Sequence, residues 1–197
     1  MGRIGPAAAK AVPALIGAVR DPDLKVRTHA VAALGQIGPN ANLAVAVLTE
    51  ALRSEEGAVR SGAVTSLSKI VSEPKQVVVM LIFVLKDEDW VVRKSACQAL
   101  GKVGNEAKDA VVPLMDLLNN DRDRRSASKA LRRIDAVDEA ALPVLIDGLT
   151  STNDSVRYFA CHFLGKIGPP AETALPMIEG LVADDKKQRV REAAKRP

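Results

Sequence analysis

The sequence predicts an all-α solenoid, in which short helical hairpins are stacked one after another. The first observation is a repeat: a Val-Arg step followed seven residues later by leucine recurs along the chain, with 31 to 34 residues between successive arginines. The second is composition, which is 47% hydrophobic but only 3% aromatic, as expected where helices approach closely. A fixed period of about 20–50 residues is typical of solenoids, whose units bury their apolar faces only against their neighbours.

Residues 11–38 show one unit of the repeat. A first, apolar helix carries Pro13 near its start, and the turn Asp21-Pro22-Asp23 separates it from a second helix. That second helix is expected to end at Gly38, because glycine adopts the left-handed conformation that ends helices and Pro39 cannot continue one. The fourth unit departs from this pattern, since Asp123 replaces the valine and the glycine ending is absent. The arginines that mark the units are Arg27, Arg60, Arg93, Arg124, Arg157 and Arg191.

Short oxygen side chains lie six residues before most of these arginines, and we predict that they are the N-caps of the second helices. They are Asp21, Ser54, Asp87 and Ser151. Pro22 then fits the first helical position. Acids four residues before the arginine, such as Asp23, share a helix face with it. We expect the arginines to form a ladder with the acidic turns of their own and neighbouring units rather than to bind a ligand.

The pattern resembles HEAT repeats, in the short form found in bacterial and archaeal proteins and in the phycobilisome (PBS) lyase-like group. The resemblance rests on the proline of the first helix, the acidic turn, the Val-Arg step and the Gly-x-Ile-Gly ending at 35–38, 101–104 and 165–168. It covers essentially the whole chain. It implies a right-handed α-solenoid of about five and a half HEAT-like helical-hairpin repeats, and members of the family are mostly protein-binding scaffolds.

The expected organisation is a single solenoid domain over residues 1–197. Its repeats would be approximately 5–37, 38–70, 71–103, 104–134 and 135–167, with a partial repeat at 168–197. Residues 1–4 are interpreted as the end of a preceding repeat, because Gly2-Arg3-Ile4-Gly5-Pro6 matches Gly35-Gln36-Ile37-Gly38-Pro39. The hypothesis is that the chain is a piece of a longer array or that its ends stack on something else.

Residues that carry catalytic or metal chemistry are few. His29 and His162 lie four repeats apart, so they cannot share a metal ion, and the sequence has no Cys-x-x-Cys, P-loop or dinucleotide fingerprint. Cys97 and Cys161 are two repeats apart, too far for a disulfide, and are expected to be reduced. The longest apolar run, residues 77–85, is shorter than the roughly 20 residues that span a membrane. We therefore expect no enzyme, metal or cofactor, no membrane association and a cytoplasmic location.

Charge is nearly balanced overall, with 28 Lys+Arg against 24 Asp+Glu, but its distribution is uneven. Positions two before, and one, five and nine after each repeat arginine project along one stripe of the second helix. In HEAT solenoids the second helices line the concave side, so the resemblance implies a basic inner groove, strongest at repeats three to five. The side chains predicted to bind a partner there are Lys94, Lys102, Arg122, Arg125, Lys129, Arg133, Tyr158, His162 and Lys166.

The first helices carry the opposite sign at one exposed column. It holds Glu50, Asp116, Asp147 and Glu179, with Asp109, Glu139 and Glu172 nearby. Phe83 interrupts the column. Its apolar neighbours favour core packing, and the alternative is an apolar contact for a partner. Trp90 is a second possible apolar contact; some HEAT-like DNA glycosylases use Trp, Asp and Arg on a concave face, but packing or surface exposure is the simpler interpretation.

The leading functional interpretation is a non-catalytic protein-protein interaction scaffold that binds an extended or acidic partner along the basic concave face. A nucleic acid bound through its phosphate backbone is an alternative, because such binding requires no stacking aromatics. Sequence-tolerant single-strand grooves usually have several aromatics, and this chain has few. A lyase-like or chaperone-like role on a chromophore protein is implied by the family resemblance alone. The other interpretation of the charged stripe, and the simpler one, is that long charged side chains solvate both faces and the bias in sign is incidental.

Overall fold

The computed structural model describes residues 6–195, and within them twelve α-helices pair into six consecutive hairpins. We call the first helix of each hairpin its A helix and the second its B helix. The all-α class and the hairpin repeat are confirmed, whereas the match of residues 2–5 to the end of an earlier repeat lies outside the described residues. The helices are α1 Val12–Ala18, α2 Leu24–Ile37, α3 Val45–Ala51, α4 Gly57–Ile70, α5 Pro74–Val84, α6 Trp90–Val103, α7 Val111–Asp116, α8 Asp121–Leu131, α9 Leu142–Gly148, α10 Asp154–Ile167, α11 Leu175–Asp184 and α12 Gln188–Ala194.

The chain divides into two compact units, Met1–Ala99 and Leu100–Pro197. In the first unit the B helices α2 and α4 pack along each other, and each also packs against its own A helix. In the second unit α10 packs against α9 and α12. The cores are mostly aliphatic, with fully buried Leu34, Leu48 and Leu67 in the first unit and Leu114, Leu131 and Leu145 in the second, where Phe163 is buried as well.

Adjacent B helices approach closely at the first glycine of the Gly-x-Ile-Gly ending. A Cβ at Gly35 would lie 2.8 Å from Cβ of Ser66 on the next B helix, and the Ser66 hydroxyl donates to the carbonyl of Val31 at 2.8 Å. In the second unit a Cβ at Gly101 would lie 3.2 Å from Cα of Ala130. The motif therefore provides room for the neighbouring hairpin as well as a helix end.

The B helices begin two residues later than the sequence predicts. In α2 the N-cap is Asp23, whose carboxylate accepts from the backbone N–H groups of Lys25 and Val26. Asp21 instead accepts from the N–H of Asp23 at 2.8 Å and closes a turn that contains Pro22. The prediction that Asp21 and the equivalent residues of other hairpins are N-caps is wrong, because their side chains close turns ahead of the helix. The prediction that Pro22 takes the first helical position is wrong for the same reason. The same turn is closed by Ser54, Asp87 and Ser151.

Three of the B helices end at a glycine with positive φ, as expected. Gly38, Gly104 and Gly168 have φ of 71°, 71° and 73°. Their ψ, −143° at Gly38 and −135° at Gly168, differs from that of the left-handed helix. These values approach an extended, positive-φ region open essentially to glycine. In the fourth hairpin, α8 ends at Leu131 without such a residue.

Each repeat arginine turns back onto the loop that precedes its own helix. Nη1 of Arg60 donates to the carbonyl oxygens of Ser54 and Glu55 at 2.8 and 2.9 Å. Loop carbonyls in a packed interface need donors, so these bonds fix the loop between the A and B helices. Carbonyls of the equivalent loops also accept from Arg27, Arg93, Arg157 and Arg191.

Arg27, Arg60 and Arg157 also reach forward to a carboxylate of the next hairpin, and these contacts confirm the predicted ladder in those repeats. Arg60 donates through Nε and Nη2 to both oxygens of Asp87, each at 2.8 Å. The partner of Arg27 is Glu56 rather than Asp23, the acid four residues before it, because Asp23 caps the helix and the arginine side chain points to the neighbouring unit. The remaining forward pairs have N–O distances of 2.6 Å and are Arg27–Glu56 and Arg157–Asp185.

The fourth hairpin uses different contacts. Arg124 pairs with Asp121 of its own helix at 2.6 Å, and the amide of Asn153 in the fifth hairpin donates to the carbonyl of Leu118 at 2.8 Å. Asp123, at the position of the repeat valine, is fully buried. In the fourth hairpin this neutral amide therefore replaces the forward ion pair that Arg27, Arg60 and Arg157 make in their hairpins.

One stretch of the described residues, Leu24–Ala51, is long and apolar enough to cross a bilayer by length and composition alone. An 18-residue window within it has a mean hydropathy of 1.4, and half of that window is buried. It consists of α2, a 3₁₀ turn at Gly38–Ala44 and α3. The backbone breaks at Gly38 and again at Ala41. These helices belong to different hairpins and supply core residues of the first unit, such as Leu34 and Leu48.

Candidate functional site

Five cations form one surface of the second unit, which we call the basic face: Lys102, Arg122, Arg125, Lys129 and Arg133. All five are exposed. In the part of the chain that the structure describes, residues 6–195, none of their side chains has an ion pair or hydrogen bond. Arg133 lies beside Gly101, the residue before Lys102, since its Cδ is 3.4 Å from where a Cβ on Gly101 would be.

The basic face is produced by the spacing of α8. Arg122, Arg125 and Lys129 are three and four residues apart, so they share one side of the helix. Arg133 continues the row just beyond the helix end. The opposite side of α8 is buried in the core and consists of Asp123, Ala127, Ala130 and Leu131.

His162 and Lys166 on α10 both bind Asp135, a residue that the sequence analysis did not single out. Nζ of Lys166 lies 2.8 Å from one carboxylate oxygen and Nε2 of His162 lies 3.2 Å from the other. The hydrogen bond from Lys166 is the main reason that the pKa of Asp135 lies below its usual range. Asp135 follows α8 in the position that glycine occupies in other repeats. Its carboxylate neutralises the charge of Lys166, which the sequence predicts to be available to a partner in the basic groove.

Tyr158 lies one turn before His162, and the two rings stack with a centroid distance of 6.4 Å. The guanidinium of Arg189 lies 5.9 Å from the centre of the Tyr158 ring and pairs with Asp154 at 2.8 Å. Sequence reasoning missed Arg189, although the signal was present: it stands two residues before Arg191, at a stripe position of the last hairpin. Tyr158 and His162 are each half-buried, so this part of the stripe already has internal partners.

The two predicted apolar contacts and Lys94 lie in the first unit. The Lys94 ammonium lies 5.5 Å from the centre of the Trp90 ring, and Trp90 is 38% exposed at the start of α6. Phe83 is 76% exposed and Val79, one turn before it, 70%. Core packing of Phe83 is therefore wrong: the buried side of α5 is formed by Val77, Val78, Leu81 and Val84.

The acidic column of the A helices is exposed as expected, at Glu50, Asp116, Asp147 and Glu179, and so are Asp109, Glu139 and Glu172. Within the described ranges, no group of three His, Cys, Asp or Glu could hold a metal ion. Both cysteines are buried and reduced. Burial raises the pKa of the Cys161 thiol to about 11, so it is protonated and a poor nucleophile at neutral pH. The chemistry available at the basic face is the binding of anions.

A family model described as HEAT repeats matches residues 1–68, 45–132 and 113–196. No curated protein matches the chain significantly.

Several solved structures are similar to this chain over nearly all of its length. An archaeal HEAT-like repeats protein from Thermococcus onnurineus is 17% identical, with 94% of this chain and 85% of that chain covered and a TM-score of 0.56. Importin beta is 20% identical, with 95% of this chain and 30% of that chain covered and a TM-score of 0.69. A designed armadillo repeat protein in complex with the peptide (KR)4 is 22% identical, with coverages of 93% and 96% and a TM-score of 0.60. At these identities the likeness shows the fold alone.

Proposed function

Because the chain belongs to the HEAT-repeat family, we propose that it is a non-catalytic scaffold that binds an acidic segment of a protein partner through its basic face. HEAT and armadillo repeat proteins are generally non-catalytic scaffolds. The similar structures include a designed armadillo protein that holds the peptide (KR)4. That peptide is cationic, whereas the surface proposed here is itself cationic, so the partner carries the opposite charge.

The observation that carries the proposal is the set of five exposed cations without an internal partner among residues 6–195. Ion pairs normally neutralise part of a protein's surface, as Asp135 does for Lys166 and Asp154 for Arg189. Among residues 6–195 no carboxylate pairs with the cations of the basic face, and a bound anion meets five charges at once. Electrostatic complementarity of this kind speeds association and selects partners by charge.

The position of these cations indicates how the partner lies. Three of them, Arg122, Arg125 and Lys129, lie along one side of α8. From Arg122 to Lys129 this row is about 10 Å long, at roughly 1.5 Å per residue. The stripe residues Lys94, Tyr158 and Lys166 have internal contacts. We therefore infer that the partner's carboxylates run along α8, instead of meeting each repeat in turn as the sequence suggests. The family's concave surface is the expected location of this face.

We also infer that the protein works in the cytoplasm or another reducing compartment. Cys97 and Cys161 are both buried and reduced, which fits a compartment that does not form disulfides. Growth of a tagged chain in cells followed by fractionation tests the location directly.

The test is a charge-reversal variant, Arg125→Glu with Lys129→Glu and Arg133→Glu, measured against a fluorescent 16-residue poly-glutamate peptide. We expect wild type to bind the peptide and the triple variant to lose nearly all binding. The control variant carries the same change of charge at three exposed lysines of the first unit: Lys10→Glu, Lys75→Glu and Lys86→Glu. Equal loss in both variants, or no loss in either, contradicts the proposal.

Duplex DNA of 20 base pairs is the second probe, because phosphates also bind rows of cations. The logarithm of the affinity for duplex DNA would fall linearly and steeply as the logarithm of the salt concentration rises. Preference for the poly-glutamate peptide at physiological ionic strength supports a protein partner. Preference for the duplex, abolished in the triple variant, would instead indicate a nucleic-acid scaffold.

A further inference from the structure

Val79 and Phe83 form an exposed apolar pair on α5, the A helix of the third hairpin. They are 70% and 76% exposed, and because they are four residues apart their side chains neighbour each other on one side of the helix. The other two phenylalanines of the chain, Phe159 and Phe163, are 1% and 0% exposed. Other residues form the buried side of α5, so packing within the hairpin does not account for the exposed pair.

The position of Phe83 carries no aromatic residue in the other hairpins. The equivalent residues are Gly17, Glu50, Asp116, Asp147 and Glu179. All of them are exposed, and four of the five are carboxylates that water solvates readily. One hairpin therefore presents an apolar side chain where most of the others present a charge, and such a departure indicates a contact that belongs to this hairpin.

A lysine lies at each end of the apolar pair. Lys75 stands four residues before Val79, on the same side of α5. Lys86 stands three residues after Phe83, and its backbone N–H donates to the Phe83 carbonyl at 3.2 Å. Both lysines are exposed, and within the described residues 6–195 neither side chain has an ion pair or hydrogen bond. We call these four residues the α5 surface.

The α5 surface has no negative charge of its own. Within α5, Pro74–Val84, no residue is acidic. Glu50 of the preceding hairpin and Glu88 of the following turn each pair with an arginine. Glu73 precedes the helix, and at about 100° per residue it lies about 120° around the helix axis from Val79. An approaching ligand therefore meets two apolar side chains between two positive charges.

We propose that the α5 surface binds a helical segment of a partner protein, with two apolar side chains four residues apart and a carboxylate beyond each of them. A helix laid along α5 would pack its apolar side chains on Val79 and Phe83. Its carboxylates would then meet Lys75 and Lys86, and this match of charge sets the partner chemistry. From Lys75 to Lys86 the surface is about 16 Å long at roughly 1.5 Å per residue, which is about three turns of the bound helix.

Size and charge favour such a segment over a second copy of the chain. A stable dimer interface has about 20–30 residues on each side, whereas the apolar part of the α5 surface is two side chains. A second copy that placed its own α5 here would add two more lysines and no carboxylate from that helix. A short acidic helix satisfies both the area and the charge.

The first experiment uses a fluorescein-labelled, alanine-based peptide of 18 residues, with leucines at positions 7 and 11 and glutamates at positions 3 and 14. The receptor is the full chain carrying Arg125→Glu, Lys129→Glu and Arg133→Glu, so that binding to the basic face is removed and the two proposals are tested separately. We expect saturable 1:1 binding. Moving the second leucine to position 9, on the opposite side of the peptide helix, should weaken binding at least about tenfold. The poly-glutamate peptide, which has no apolar side chain, should not compete.

The second experiment changes the α5 surface in the same receptor. Phe83→Glu, which introduces the residue type of Glu50, should weaken peptide binding at least about tenfold. Lys75→Gln with Lys86→Gln should weaken it a few-fold at low salt and less at high salt. The matched control is Val144→Glu, at a valine that is 39% exposed on α9, and it should leave binding unchanged. Urea denaturation should give Phe83→Glu the same midpoint as its parent, because the side chain is outside the core.

Three results would overturn the proposal: no binding of the peptide, equal binding of the two leucine arrangements, or equal loss in Phe83→Glu and Val144→Glu. Sedimentation equilibrium of wild type adds a fourth test, and we expect a monomer. A wild-type dimer that Phe83→Glu converts to a monomer would show that a second copy, and not a partner helix, covers α5.

Discussion

Arg60 and Asp87, 27 residues apart, form a bidentate ion pair in which Nε and Nη2 each lie 2.8 Å from a carboxylate oxygen. The Arg60 side chain is 8% exposed and that of Asp87 13%. The same guanidinium donates to two loop carbonyls of its own hairpin. The Arg60 side chain on α4 therefore contacts both the preceding loop of its own hairpin and the next hairpin.

Replacing Arg60 with alanine should lower the free energy of unfolding by about 3 kcal/mol, because the buried Asp87 carboxylate loses its partner. The measurement is urea denaturation followed by circular dichroism. Arg20→Ala is the matched control. It removes an ion pair to Glu50 in which both side chains are more than 60% exposed, and exposed pairs contribute about 0–1 kcal/mol. Similar losses in the two variants would show that the ladder has no special role in stability.

The Arg60–Asp87 pair also predicts a loss of stability in acid. Burial alone would raise the pKa of Asp87, but the hydrogen bond from Arg60, the backbone N–H of Asp89 and the charge of the guanidinium together bring that pKa below its ordinary value. A carboxyl whose pKa is lower in the folded chain stabilises the fold at pH values above its unfolded pKa of about 3.9, and this contribution is lost as pH falls through the folded pKa.

Asp87→Asn should therefore reduce stability at pH 7 and make the free energy of unfolding less dependent on pH below about pH 4. The profile is obtained from urea titrations between neutral and acid pH. Asp147→Asn, at an exposed carboxylate of α9, should leave the profile close to that of wild type. An Asp87→Asn profile parallel to wild type across the acid range would contradict the assignment.

The hairpin fold could be predicted from the sequence because its signals are local and recur. The Val-Arg step, the glycine ending and the period each appear several times, so one irregular copy does not obscure them. The residue at which each B helix begins was harder to predict. Asp21-Pro22-Asp23 offers two acids that both suit a helix start, and only the backbone shows that Asp23 is the cap while Asp21 closes a turn.

The candidate site was predictable only in part. Spacing placed Arg122, Arg125 and Lys129 on one exposed side of α8, which required no knowledge of neighbours. It could not reveal that Asp135 neutralises Lys166, because the two are 31 residues apart and meet across hairpins. Phe83 was misjudged for a related reason: a continuous apolar run does not indicate which side of the helix is covered.

Gly35→Ala should destabilise the first unit by about 1–3 kcal/mol, the usual range for overpacking a core. The added methyl would lie 2.9 Å from Cα of Ser66, and backbone cannot move aside cheaply. Gly17→Ala is the control, since nothing lies within 4 Å of its added Cβ and alanine is favoured over glycine inside a helix by about 1 kcal/mol. Thermal unfolding should show a lower midpoint for the first variant and an equal or higher one for the second. A stabilising Gly35→Ala would mean that the B helices do not approach as closely as described.

Asp135→Asn should strengthen the binding of poly-glutamate to the basic face by a few-fold, because it releases Lys166 and His162 to bind an external carboxylate. Exposed ion pairs are worth about 0.2–1 kcal/mol, which sets the size of the gain. Asp138→Asn is the matched control: it removes the same charge from the same loop but frees Lys108, its partner at 2.9 Å, which is not part of the stripe. Fluorescence anisotropy at low and physiological salt measures both. If Asp138→Asn increases affinity as much as Asp135→Asn does, the effect is one of net charge, and Asp135 does not compete with the partner for Lys166.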